Sequence, residues 1–265
     1  MSKLYTFGLM GMNPDFDYIT SEVTGYEKEK LIDFNPNTFW RGNNNVTVWN
    51  LDFDFNEAVR VDALYFFINN YKTVFTSGNC ALRYDSTGDT VADTQAGTTP
   101  IADITTPHRI ITSNTTTAYR YWTMQFNTFT VGEAPDVSIG AFCRLRETSH
   151  SHQRPTESID NFLNTSFTGF NGNSVVHSKV KMNQRILKRN FSFSGSSDLD
   201  DLRNAFLDCR GTLYPLALQE GTAQNEIVLC RFNEDTFNPN EVDTEYYEPS
   251  VSFKELTYID DGETI

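Results

Sequence analysis

Residues Asp33 to Trp40 read Asp-Phe-Asn-Pro-Asn-Thr-Phe-Trp, the spacing of a turn that bonds to itself. Asp33 and Asn35 have short side chains that can accept hydrogen bonds from backbone N–H groups in a tight turn, and Thr38 can do the same. Phe39 or Trp40 would then anchor the loop to a core. Elsewhere the residue types that carry catalysis are scattered. His150 and His152 stand two apart in a polar stretch; they could share a metal, but two histidines in such a segment read first as solvated. Cys80, Cys143, Cys209 and Cys230 lie far apart, with no CxxC or Cys/His ligand cluster. They read as buried, reduced thiols of a chain made in the cytosol, with a Cys209–Cys230 disulfide as the alternative. There is no Gly-rich phosphate loop, HExxH, GxSxG or catalytic Cys/His signature. The 35 carboxylates offer no pair singled out by spacing. A protein that is not an enzyme is expected, and paired-carboxylate glycan cleavage is the one catalytic class left open.

Bulk charge narrows the partners. The 265 residues carry a net charge of −14, which repels nucleic-acid phosphates and anionic lipid. No direct nucleic-acid readout is expected. No apolar run approaches the roughly 18 residues of a membrane-spanning helix, so no membrane insertion is expected. The N-terminal residues lack the apolar core of a signal peptide, and export by the usual route is not expected.

Strands must position these residues. Val46–Phe55 places Trp49, Leu51, Phe53 and Phe55 on one side and Asn50, Asp52 and Asp54 on the other, a strand with one buried and one wet face. Val59–Ile68 begins by alternating and becomes continuously apolar, as in a sandwich core. Tyr119–Phe126 and Val137–Leu145 read as further strands. Asp85–Thr106, rich in Thr, Asp, Gly and Ala, reads as loop. Arg146–Ser158 is polar, holds a proline and has no hydrophobic period, so it reads as a linker.

The run Leu31–Trp40 resembles the Asp-x-Asn/Asp-x-x-Thr-x-Trp signature of discoidin-like (F5/8 type C) domains. Trp49–Phe55 and Val61–Phe67 fit the strands that follow it in that family. Tyr119–Phe126 is similar to the family's Arg-Tyr-x-x-Leu strand, and Ser138–Leu145 would close the domain. The resemblance covers residues 18–147 and implies a jelly-roll β-sandwich. Family members often bind calcium in this turn, which would make Asp33 and Thr38 metal ligands. The acidic residue that usually helps is missing from Ile139–Phe142, so a purely structural turn is expected ahead of calcium. The family often binds sugars or other surfaces with loops at one end of the sandwich. The loops here, Arg41–Asn45 and Asn69–Ser77, follow Trp40 and offer Arg41, Asn43, Asn44, Tyr71 and Phe75. Those types supply the planar hydrogen bonds and aromatic platforms that sugars need. The alternative is a polar turn with an aromatic plugging the sandwich end.

The second half has another pattern. Ser174–Ser194 reads as two strands or one bent pair. A helix is expected over 197–210: Ser196 or Ser197 can cap it, and Asp198, Asp200 and Asp201 suit its positive first turn. Leu199, Leu202, Ala205, Phe206 and Cys209 share one face, and Gly211 is a C-terminal stop. Strands over Thr212–Gln219, Glu226–Phe232 and Tyr246–Leu256 follow. This order resembles the tail-tube-like domain of phage tail proteins, including distal tail and baseplate hub proteins, over about residues 172–257. The residues that carry it are Phe191–Phe193, Leu199–Cys209, Gly211–Leu216 and Tyr247–Leu256. Distal tail proteins place that domain first, whereas this chain places it second.

Charge layout bears on assembly. Lys179, Lys181, Arg185, Lys188 and Arg189 fall within eleven residues without an acid. The stretch 233–265 holds ten acids, Glu241, Asp243 and Glu245 among them, and one lysine. Such surfaces suit ring or stack contacts between copies, or are two ordinary solvated faces. The expectation is a mainly β chain: a jelly-roll sandwich (1–147), a linker (148–171), and a small β-sandwich with one packed α-helix (172–265). The main functional reading is a virion structural protein of a phage tail tip or baseplate. It would assemble in the host cytoplasm with its own copies and other tail proteins, and the first sandwich would recognise a host-surface glycan. The alternatives are a stand-alone carbohydrate-binding protein and a glycan-degrading enzyme.

Overall fold

The computed structural model describes residues 2–12, 14–19, 22–35, 37–70, 77–87, 93–101, 106–148, 156–160, 167–168, 174–175, 184–191, 193–194, 197–220, 227–239, 241–243 and 246–256. In chain order the strands begin with β1 (Ser2–Thr6), β2 (Asp15–Ile19), β3 (Trp40–Arg41), β4 (Trp49–Val59), β5 (Ala63–Ile68), β6 (Asn79–Tyr84) and β7 (Thr94–Pro100). They continue with β8 (His108–Thr112), β9 (Tyr119–Asn127), β10 (Asp136–Thr148), β11 (Thr156–Asp160), β12 (Phe167–Thr168), β13 (Ser174–Val175), β14 (Gln184–Asn190) and β15 (Phe193–Ser194). After the helix α1 (Ser197–Asp208) come β16 (Leu216–Gln219), β17 (Ile227–Phe232), β18 (Glu241–Asp243), β19 (Tyr246–Tyr247) and β20 (Ser250–Glu255). Short 3₁₀ turns occupy Gly8–Met12 and Lys28–Leu31.

The alternation in β4 is realised as far as Phe53: Trp49, Leu51, Phe53 and also Phe55 are buried and Asn50 and Asp52 partly exposed, but Asp54, expected on the wet face, is buried under the Arg120 guanidinium that bonds it. The apolar face belongs to a five-stranded antiparallel sheet, β2-β4-β9-β6-β7. It packs on a larger sheet, where Phe142 of β10 meets Phe53 and Phe55 edge-on. β5 is apolar throughout because both of its faces are covered, and all six of its residues are buried.

The larger sheet runs β11-β14-β20-β17-β16-β1-β10-β5-β8, with β3 also on β10. β1 joins the halves, pairing with β10 on one side and β16 on the other. Its neighbours Leu4 and Tyr5 therefore enter different cores: Tyr5 the main sandwich core, Leu4 the core beneath α1. Leu199, Leu202, Ala205 and Cys209 of the helical segment are buried in that second core, as their spacing requires. The helix stops where Arg210 and Gly211 turn left-handed (φ 50° and 65°) and the Gly211 N–H bonds the Phe206 carbonyl at 3.0 Å.

Three boundaries differ from the pattern-based expectation. The Thr/Gly-rich stretch read as loop contains β7, an edge strand whose Thr residues favour the extended chain and which its ladder to β6 holds despite its Gly, Ala and Pro. The stretch read as a linker contains the end of β10, paired with β1, and part of β11, paired with β14. Residues 209–215 close the helix, so the strand expected from Thr212 begins at Leu216. All four cysteines are free and buried.

Candidate functional site

A cleft of about 450 Å³ opens at the sandwich end where β4 and β10 start and β5 and β9 finish. Its walls are Val23, Arg41, Gly42, Asn44, Asn70, Gly132, Glu133 and Ala134. Backbone hydrogen bonds clamp the loops that carry them. The Gly132 N–H bonds the Asn44 carbonyl at 2.9 Å, and the Val23 N–H bonds the Arg41 carbonyl at 3.0 Å. Asn70 is held at both ends of its amide: Nδ2 donates to the Ala134 carbonyl (3.1 Å) and Oδ1 accepts the Asp136 N–H (2.9 Å).

The loop after β3 is fixed by a tryptophan. Trp49 is fully buried and its indole N–H donates to the Asn43 carbonyl at 3.2 Å. Asn43 Oδ1 accepts the Asn45 N–H at 3.0 Å, a local Asx turn. Gly42 lies so close to the indole that a Cβ there would sit 2.2 Å from Trp49 Nε1. These contacts leave the exposed Asn44 presented to the cleft.

Arg41 is the strongest donor in the wall. Its Nε and Nη2 make a two-pronged bond to Asp136, each at 2.5 Å, which raises its pKa above the usual arginine range. Nη1 keeps no partner among the described residues. The guanidinium also lies over Tyr26 (4.8 Å) and Phe39 (5.2 Å), whose rings stack at 4.8 Å. The cleft thus combines a locked guanidinium, an exposed amide and a carboxylate, with an aromatic pair behind the arginine.

Of the candidate ligand contacts, Arg41 and Asn44 come together in this cleft. Asn43 shapes the loop instead. Trp40 cannot touch a ligand: it is fully buried, stacked on Phe126 at 5.8 Å, because the turn uses it as its core anchor. Tyr71 and Phe75 lie outside the described residues. Asn70 and Glu133 were not singled out beforehand; Glu133 sits in a Gly-Glu-Ala-Pro turn between two strands, a turn signal without a chemical one.

Asp33 and Thr38 form the self-bonded turn. Asp33 Oδ1 accepts the Asn35 N–H (2.7 Å) and Oδ2 accepts the Thr38 hydroxyl (2.6 Å). Calcium takes about six to eight oxygens, and one carboxylate already engaged twice plus one hydroxyl does not fit that set. Among the described residues no three His, Cys, Asp or Glu gather as a metal site, and no helix is long and apolar enough to cross a membrane. His150 and His152 lie outside the described residues.

The candidate interface residues divide. Lys188 is exposed on β14. Arg189 is 2% exposed and grips Glu220 through Nε (2.5 Å) and Nη2 (2.9 Å), so it faces inward and is not available to a neighbouring subunit. Arg185 stands in β14, and Glu241 and Asp243 in β18. Lys179, Lys181 and Glu245 lie outside the described residues.

No protein-family model and no curated protein matches the chain. Among solved structures it is similar to the family 32 carbohydrate-binding module of C. perfringens NanJ in complex with galactose, at 11% identity and a TM-score of 0.41, over 53% of this chain and 99% of that one. It is also similar to chitosan-binding module 1 of a Paenibacillus chitosanase/glucanase, at 14% identity and a TM-score of 0.42, over 53% of this chain and 98% of that one. A Ruminococcus gnavus GH29 fucosidase in complex with fucose matches at 18% identity and a TM-score of 0.40, over 48% of this chain and only 24% of that enzyme. Each likeness takes in about half of this chain and is too loose to transfer a ligand to it.

Proposed function

We propose that this chain is a carbohydrate-binding protein whose discoidin-like sandwich takes a sugar in the cleft between the Arg41–Asn45 and Thr130–Ala134 loops. The observation that carries the reading is the composition of that cleft: Arg41, Asn44 and Glu133 converge on about 450 Å³ of space in loops pinned by backbone bonds. A sugar hydroxyl donates and accepts at once. The Nη1 donor of an arginine fixed by Asp136, an amide with both functions and an acceptor carboxylate can read two or three adjacent hydroxyls. Pinned loops spare the ordering cost of binding. In this reading the chain binds without turning over, since Glu133 stands as the single carboxylate among the residues lining the cleft.

The phage-tail reading rests on charge layout and on the order of elements in the second half. One of its five cations, Arg189, is consumed inside the chain. Its Lys179, Lys181 and Glu245 lie outside the described residues, and a ring-forming protein would restore this reading.

A glycan array followed by titration calorimetry tests the proposal. At least one glycan should bind, and Asn44→Ala and Glu133→Gln should each weaken it about tenfold without lowering the melting temperature. An empty array, or binding indifferent to both substitutions, would sink the idea.

A further inference from the structure

Among the described residues, the walls of the cleft and their immediate support carry more acid than base. Arg41 is the one cation of the lining, and Asp136, buried behind it, accepts two of its N–H groups at 2.5 Å each. That pair is close to neutral as seen from the cleft. Glu133 stands in the opposite wall, half-buried, and brings a second carboxylate. The backbone under it is pinned: the Glu133 N–H bonds the Thr130 carbonyl (3.0 Å) and the Gly132 N–H bonds the Asn44 carbonyl (2.9 Å). Gly132 takes a left-handed conformation there (φ 99°), which a residue without Cβ adopts at little cost.

No aromatic ring lines the cleft among the described residues, and its apolar walls are Val23 and Ala134. A ligand therefore gains little from ring stacking, and charge and hydrogen bonding decide which sugar is held. A carboxylate accepts at about four lone-pair positions, so Glu133 can take a donor from a ligand beside any donor from the protein. A charge-assisted N–H···O bond is roughly twice as strong as a neutral one. A sugar carboxylate or sulfate would meet Glu133 as a like charge, in a chain of net charge −14. A protonated amine would meet it as a counter-ion.

We propose, on the reading of the cleft as a sugar site, that its ligand is an amino sugar whose nitrogen is not acetylated. The ammonium pairs with Glu133, and a neighbouring hydroxyl takes the Arg41 Nη1 donor or the Asn44 amide. On a hexosamine ring the amine and the hydroxyls beside it leave adjacent carbons, so one edge of the ring presents a cation and an acceptor together. Acetylation would remove the charge and leave a neutral amide N–H for Glu133. Glu133 is then the residue that sets specificity, while Arg41 and Asn44 serve sugars in general.

The test is titration calorimetry of the full chain at about pH 6, where such an amine is protonated. The probes are trisaccharides of the same linkage built from glucosamine, N-acetylglucosamine and glucose. The glucosamine trimer should bind about tenfold more tightly than either neutral one, and added salt should narrow the gap. Glu133→Gln removes the charge at nearly constant size; it should cost the glucosamine trimer about tenfold and abolish the preference. Glu133→Asp, which keeps the charge, should keep the preference, and Asn44→Ala should weaken all three probes alike. Equal binding of the charged and neutral trimers overturns the proposal. So does a preference for the amine that survives Glu133→Gln, because the general negative charge of the chain would then be its source. Array binding confined to neutral or acidic glycans overturns it too, and leaves the sugar reading standing. Binding of no glycan at all removes both.

Discussion

Gly42→Ala is the sharpest probe of how the cleft is held. The added Cβ would lie 2.2 Å from Trp49 Nε1 and 2.4 Å from Cδ1. Carbon and nitrogen atoms in good contact stand about 3.5–4.0 Å apart, so the overlap exceeds about 1 Å. The indole cannot retreat: Trp49 is fully buried, meets Phe129 edge-on at 5.3 Å and donates to the Asn43 carbonyl. The loop must move instead, pulling on the Asn43 bond and on the Gly132–Asn44 bond that closes the cleft. Overpacking of this kind costs about 1–3 kcal/mol. For a chain of this size that lowers the melting temperature by roughly 2–4 °C per kcal/mol. Urea unfolding followed by tryptophan fluorescence reads the stability, and the proposed glycan binding reads the geometry. The substitution should lower the denaturation midpoint and weaken glycan binding together. A Gly42→Ala protein with an unchanged midpoint and unchanged near-UV circular dichroism would refute the reasoning, because it would mean that the loop and the indole are not in the contact described.

Two further outcomes follow from other parts of the molecule. His108 is half-buried, with Nδ1 2.8 Å from the Tyr65 hydroxyl, and desolvation, with the charge of Arg109 second, pushes its pKa down to about 4. The unfolded chain then binds more protons than the folded one between about pH 6.5 and pH 4, so stability falls as pH drops through that window, by at most about 3 kcal/mol from this group. His108→Gln should flatten that part of a urea-derived stability profile, and an unaltered slope would show that the fold does not hold the histidine neutral. In solution the 30.2 kDa chain should scatter light as a monomer, since Arg189 is committed to Glu220; a closed ring of subunits would instead restore the tail-assembly reading.

Local chemistry was legible in the sequence wherever neighbours along the chain decide the structure. The Asp33–Thr38 turn closes on its own side chains, so its three polar residues suffice to specify it. The buried faces of β4 and α1 follow from periods of two and about 3.6 residues, and the helix stop follows from the left-handed turn that Gly211 accepts. The mainly β class with one packed helix came through for the same reason.

Tertiary structure alone decided the rest. β1 is five residues with no strong period, yet it is a central strand, because β10 and β16 satisfy both of its edges from more than 130 residues away. β7 is a strand because β6 offers it a ladder that offsets its Gly, Ala and Pro, although its Thr residues favour one. Trp40 and Arg189 looked like surface chemistry and are buried, one as the anchor of a turn and the other gripped by Glu220. The cleft is the clearest case. Arg41 ends β3 while Asn70 and Glu133 stand in two separate loops, and the side-chain bonds of Arg41 and Asn70 run to Asp136 at the start of β10 and to Ala134 just before it. Spacing along a chain cannot report a meeting that long-range strand pairing creates.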